Sequence, residues 1–252
     1  MRWLALALLA LAAPLRAEEV VLGLSRDTVS ITTSFEGSEI LIFGAVKREA
    51  PILGDPPLEV VITVAGPSRP VTVRRKERVA GIWVNTDALR IDLAPSFYAV
   101  ATSGPLDEVL LETEDLRHKV SIPRAIRSVG APPEVGDAGA FTDALVRIRE
   151  RAGLYAMAEG AVELTDQTLF SAAIDMPANL TEGAYDTRVF LTRDGAVVAE
   201  FDTVIGVQKV GLERFLFTLS REQPLVYGLL SLAIAIAAGW GASAAFRALR
   251  PG

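Results

Sequence analysis

A mainly β chain, with immunoglobulin-like β-sandwich regions, one short connecting helix and a C-terminal transmembrane helix, is the architecture the sequence predicts. Three observations predict it. Short β-branched runs recur between Gly, Pro, Asp and Ser clusters across most of the chain. One stretch, Phe141 to Ala152, carries apolar residues at helical spacing instead. From Gln223 to Phe246 no residue bears a formal charge, and that run is apolar enough to cross a hydrocarbon core of roughly 30 Å as a helix.

The chain has 252 residues and a formal charge of −6. An acidic balance leaves no electrostatic footprint for nucleic acid, so no nucleic-acid partner is expected. Cysteine is absent, which excludes a disulfide framework, a thiol nucleophile and a thiolate metal site.

At the N-terminus, Met1-Arg2-Trp3 gives a short positive start. Leu4 to Ala13 is apolar, Pro14 breaks the run, and Ala17 precedes Glu18-Glu19. This is the three-part shape of a secretory signal peptide over residues 1–17. Export of the residues after Ala17 then places the bulk of the chain in the periplasm of a bacterial cell. The second apolar run stops transfer in the inner membrane, and residues 247–252, with Arg247 and Arg250, remain in the cytoplasm.

Residues 18–127 read as a first β-sandwich domain. Val20–Ser25, Thr28–Thr32, Glu39–Val46, Leu58–Val64, Pro70–Arg74, Gly81–Val84 and Phe97–Ala101 are its strands. Only Pro105–Leu111 hints at a helix. Trp83 is expected in the sandwich core. Arg74-Arg75-Lys76 with Arg78 reads as a solvated loop between strands, with contact to anionic headgroups or an acidic partner as the functional alternative. Residues 128–153 are a linker rich in Gly and Pro followed by an amphipathic helix, capped by Asp137 or Thr142 and ended at Gly153. Residues 154–210 form a second β-rich unit, either a small sheet of its own or a partner of the first. Within it Asp194-Gly195, between two β-rich runs, is a strong hairpin signal. Residues 211–222 are juxtamembrane, with Leu212, Phe215, Leu216 and Leu219 at helical spacing.

The transmembrane helix, 223–246, carries two finer features. Tyr227 and Trp240 are expected as boundary aromatics at the headgroup level. Ala235, Gly239 and Ser243 are four apart, and Ala233, Ala237, Gly241 and Ala245 repeat the spacing beside them. Small residues at that spacing let helices approach closely in lipid, so Ala235, Gly239, Gly241 and Ser243 are the candidate packing residues.

The search for chemistry is otherwise negative. His118 is the only histidine, beside Arg117 and Lys119, and reads as a surface strand residue, since metal sites draw on more than one His or Cys. Glu112, Glu114 and Asp115 lack the spacing of a calcium loop and read as a solvated acidic turn. No catalytic residue, metal site or cofactor is assigned.

Several pieces carry a family likeness: Ser96–Val100, Gly153-Leu154-Tyr155, Leu169-Phe170, Pro177-Ala178-Asn179, Gly183-Ala184-Tyr185, Arg193-Asp194-Gly195, Tyr227-Gly228 and Gly239-Trp240. In these the chain resembles the alphaproteobacterial putative transmembrane protein family over most of its mature length. That resemblance implies the topology above and no assigned activity. Its members' encoding near sulfite-exporter-like permeases implies a transport partner. The expected role is therefore a binding or accessory module. Its expected partners are membrane lipid and a polytopic, transporter-like protein, or a second copy through the helix. An envelope structural protein, or an enzyme with a non-obvious carboxylate or serine site, is the alternative.

Overall fold

A computed structural model describes residues 19–25, 28–31, 37–47, 56–128, 137–209, 216 and 219–249. The signal-peptide expectation for 1–17, most of the linker, most of the juxtamembrane segment and the end of the tail lie outside those residues. The strands are β1 (Glu19–Leu24), β2 (Thr28–Ile31), β3 (Gly37–Lys47), β4 (Leu58–Ala65), β5 (Ser68–Val79), β6 (Ile82–Pro95), β7 (Tyr98–Thr102), β8 (Tyr155–Ala158), β9 (Glu163–Thr165), β10 (Leu169–Pro177), β11 (Gly183–Arg193) and β12 (Ala196–Lys209). The helices are α1 (Leu106–Val109), α2 (Glu112–His118), α3 (Ile122–Ala125), α4 (Ala138–Arg151) and α5 (Pro224–Leu249).

The chain is mainly β, as the β-branched runs require. The strands form a four-stranded sheet, β1-β3-β10-β9, a six-stranded sheet, β2-β12-β11-β4-β7-β8, and a separate ribbon, β5-β6. Strands from either side of the linker share both larger sheets. β10 pairs with β3, β11 with β4, and β8 with β7. Of the two arrangements open for residues 154–210, pairing with the first region is the one found. The β7–β8 pair is parallel, a departure from the all-antiparallel sandwich of the immunoglobulin-like expectation. A parallel pair needs a long crossover, and here α1 to α4 lie between the two strands.

Burial follows from what covers each sheet. In β3 and β10 the buried residues alternate, Ile40, Ile42 and Val46 with Phe170, Ala172, Ile174 and Met176. One face of that sheet is therefore in the core and the other in water. In β4 every residue from Val60 to Val64 is buried, and β7 is buried throughout. Such strands are covered on both faces. The four-stranded sheet meets this layer where β10 contacts β7, and the segment carrying α1, α2 and α3 covers the opposite face.

That helical segment corrects the reading of 105–127. Beyond α1, which Pro105–Leu111 hinted at, the residues before Arg127 hold two further helices, α2 and α3, rather than strands. Their lengths, four to seven residues, are below what holds a helix alone in water, so no periodicity announces them. Contacts with the sheet supply the stability instead. The expected helix after the linker is present as α4, and Asp137 caps it, its Oδ1 accepting from Ala140 N at 3.1 Å. The expected Asp194-Gly195 hairpin joins β11 to β12 with both residues at positive φ, the geometry of a two-residue turn that suits strand twist.

Candidate functional site

Three features carry the chemistry of the surface: a cleft beside α2, the β5–β6 ribbon and helix α5.

The cleft, about 520 Å³, is lined by Tyr98, His118, Lys119, Asp186, Arg188 and Asp202 among others. Strand alternation brings Tyr98, Arg188, Phe190 and Thr192 to the sheet face that the helical segment covers. The polar members spend their hydrogen bonds on that segment's carbonyls. Tyr98 OH donates to Val120 O at 2.7 Å, Arg188 Nη1 to His118 O at 2.7 Å, and Thr192 Oγ1 to Val109 O at 2.7 Å. Arg188 also lies over the Phe190 ring, 5.1 Å from its centroid. A cation at the carbonyl end of α2 meets the negative end of the helix dipole. Asp115 fastens the next turn, its Oδ1 accepting from Val120 N at 3.0 Å and Ser121 N at 2.7 Å.

His118 is therefore not a surface strand residue. It ends α2, with Nε2 at 3.4 Å from Glu114, Nδ1 at 3.3 Å from Glu200, and its ring 5.3 Å from that of Phe190. Nor is the acidic cluster simply solvated, because Glu114 and Asp115 are engaged while Glu112 stays mostly exposed. These contacts clamp the helical segment to the sheet. Among the described residues no group of His, Asp and Glu has the arrangement of a metal site. Burial pushes the Tyr98 phenol up to about 12, against the lowering effect of the Arg188 charge. Burial also raises Tyr155 to about 12, with Arg149 opposing, and raises Tyr185.

The ribbon holds the largest departure from sequence reading. β5 and β6 run far past the short strands expected there, and the basic run is in β5, not in a loop. At its base Leu89 and Ile91 are buried, and α4 packs against both strands. Arg75 lies 4.8 Å from the centroid of the Phe141 ring and 3.7 Å from Asp87. Beyond that point the described residues of both strands are mostly exposed. Trp83, expected in the core, is 68% exposed at the tip, with Ile82 at 65% and Val79 at 51%. It missed the core because it sits opposite Arg78, one step from the turn, where the ribbon has left the body. Ala80 and Gly81 make that turn, both at positive φ. Glycine fits this conformation and alanine does not, which is why no turn signal stood out.

The residues of α5 from Pro224 to Ser243 are long and apolar enough to cross a membrane, and all of their side chains are exposed. At 100° per residue, Gly239 and Gly241 lie about 200° apart around the axis. The two rows of small residues are thus on nearly opposite faces, not beside each other. Ala235, Gly239 and Ser243 form one, and Gly241 belongs to the other with Ala233 and Ala237. A Cβ built on Gly239 or Gly241 meets no atom within 4 Å. Tyr227 and Trp240 are separated by about 20 Å of helix, less than the roughly 30 Å of hydrocarbon, so the pair cannot mark both boundaries. Tyr227 lies one turn from the helix start.

The chain matches, over residues 19–248, the model of the family described as "Putative transmembrane protein", and it belongs to that family. No curated protein matches it. The family, together with the one described helix of sufficient length and apolarity, makes this a membrane protein with a single candidate span.

Proposed function

We propose that this family member is a single-pass protein of the bacterial inner membrane, with its β body in the periplasm and its C-terminus in the cytoplasm. It serves as a binding or accessory module for a polytopic, transporter-like membrane protein. The observation that carries this reading is α5. It carries small residues at close-approach spacing on two faces. A bare anchor has no use for glycine, which costs about 1 kcal/mol relative to alanine in a helix interior. The reading is non-enzymatic. The only histidine is held between two carboxylates, and Tyr98 and Arg188 of the cleft fasten the helical segment.

A second reading, self-association through α5, is favoured by the opposed rows, since one row can meet a second copy while the other meets a partner. Photo-crosslinkers at positions 239 and 241, used in the native membrane, separate the two. The proposal expects one polytopic protein from at least one position. It also expects Gly239→Leu or Gly241→Leu to abolish that product without preventing insertion. Crosslinks to lipid alone at both positions contradict it, and crosslinks only to the same chain establish self-association.

A further inference from the structure

We propose that the outer half of the β5–β6 ribbon is a bilayer-docking arm. Val79, Ile82 and Trp83 enter the headgroup boundary, and Arg74, Lys76 and Arg78 pair with anionic lipid phosphates. This inference does not depend on the transporter reading. It rests on the register of the ribbon and on the chain being a membrane protein.

The register sorts the charges. Arg78 pairs with Trp83 and Lys76 with Asn85. After a bulge in β6, Arg74 pairs with Ala88 and Thr72 with Arg90. Side chains alternate along a strand, so Arg74, Lys76 and Arg78 share one face with Trp83 and Arg90. Glu77, the Arg75–Asp87 pair, Val79 and Ile82 fall on the other face, so Val79 and Ile82 join Trp83 only end-on, around the Ala80-Gly81 turn. Among the described residues no carboxylate lies within ion-pair distance of Arg74, Lys76 or Arg90. From Ser68 to Pro95 there are six cations and three carboxylates, in a chain whose overall charge is −6. A one-sided cationic strip of this kind on an acidic protein has an anionic counterpart outside it.

Size and chemistry identify that counterpart as lipid. The apolar tip is three side chains on a single turn. A stable protein interface buries roughly 800 Å² on each partner, more than such a tip supplies. A tryptophan beside a β-branched pair, followed by a row of cations, suits the change from acyl chain to phosphate. The seven steps from buried Leu89 to Ile82 span about 23 Å at strand rise, so the tip reaches well clear of its own base. A chain already anchored in a bilayer docks intramolecularly, so a few weak contacts suffice.

The native chain has no cysteine, so Ile82→Cys can carry an environment-sensitive fluorophore with no background site. The full chain is reconstituted into vesicles of phosphatidylcholine alone or of equimolar phosphatidylcholine and phosphatidylglycerol, some containing nitroxide-labelled lipid. A label at Ala196→Cys, exposed on the body, is the control. The arm predicts blue-shifted emission and lipid quenching at position 82 in phosphatidylglycerol vesicles, both reversed by high salt. It also predicts a roughly fivefold fall in the docked-to-undocked ratio for each of Arg74→Gln, Lys76→Gln and Arg78→Gln. All these positions are exposed, and an unchanged unfolding transition verifies that the body is intact. A label that stays in water in the anionic vesicles overturns the proposal. So does one that docks equally with and without phosphatidylglycerol. A label shielded in native membranes yet unquenched by lipid assigns the tip to a protein and overturns it as well.

Discussion

The two halves of the β5–β6 ribbon have similar apolar content and opposite fates. At the base, Leu89 and Ile91 point into the core beneath α4, with Phe141 and Leu145 of that helix buried alongside. At the tip, Ile82 and Trp83 stand in the open with Val79. Antiparallel pairing runs through both halves, with a register shift in each, between Arg69 and Val71 and between Arg75 and Lys76, so strand formation does not distinguish them. Coverage does. An apolar side chain that nothing covers gains little from folding, and three of them at one turn mark a surface meant for something outside the fold. The base therefore belongs to stability and the tip to function.

That contrast is broken most directly by substitution. Phe141→Ala removes the ring that the base packs on and is expected to cost about 3–5 kcal/mol of body stability, read by denaturant unfolding in detergent. Ile91→Ala is expected to cost about 2–5 kcal/mol by the same mechanism. A loss below 1 kcal/mol for both would remove the base from the core. Alkali acts on the body through the buried phenols. Tyr98 and Tyr155 have folded pKa values raised to about 12 from 10.0. Their contribution is fully present below pH 10 and is lost as pH rises towards 12, because the folded state holds protons that the unfolded state releases. Unfolding midpoints measured across that window should fall, and a flat profile would contradict their burial. Tyr98→Phe leaves Val120 O without its 2.7 Å donor, should cost about 1–2 kcal/mol, and should flatten part of the alkaline loss.

Effects at the tip are smaller. Ala80→Asn places an Asn-Gly turn at two positive-φ positions and should stabilise by up to about 1 kcal/mol. Trp83→Ala, although it removes the largest side chain of the ribbon tip, should change body stability by no more than about 0.5 kcal/mol. A large loss there would place Trp83 in a contact that the exposed tip does not have.

Legibility in the sequence followed the range of the interactions. The span, the Asp194-Gly195 hairpin and the Asp137 cap are local patterns, and each stands where the residues indicate. The β-rich runs on either side of Asp194-Gly195, which are β11 and β12, were legible as strands, but the pairing of β11 with β4 and of β10 with β3 was not, because pairing across more than a hundred residues leaves no local mark. The segment carrying α1 to α3 is fastened by Tyr98, on the strand just before it, and by Arg188 and Thr192 on β11. No window around 106–125 contains the two β11 residues. Trp83 was misplaced by a sound generalisation about aromatic burial, which fails at an exposed ribbon tip. His118 and the two carboxylates beside it could be assigned only once β12 had brought Glu200 to the end of α2.

The claim on which the anchor, the body and the arm all rest is that α5 separates the body from the tail across a bilayer. Single cysteines at Ala196 and Ala248, in a chain with none of its own, allow this to be read with a membrane-impermeant maleimide on cells stripped of their outer membrane. The account predicts labelling of Ala196→Cys in intact spheroplasts and of Ala248→Cys only after lysis. Equal labelling of both positions before lysis would contradict it.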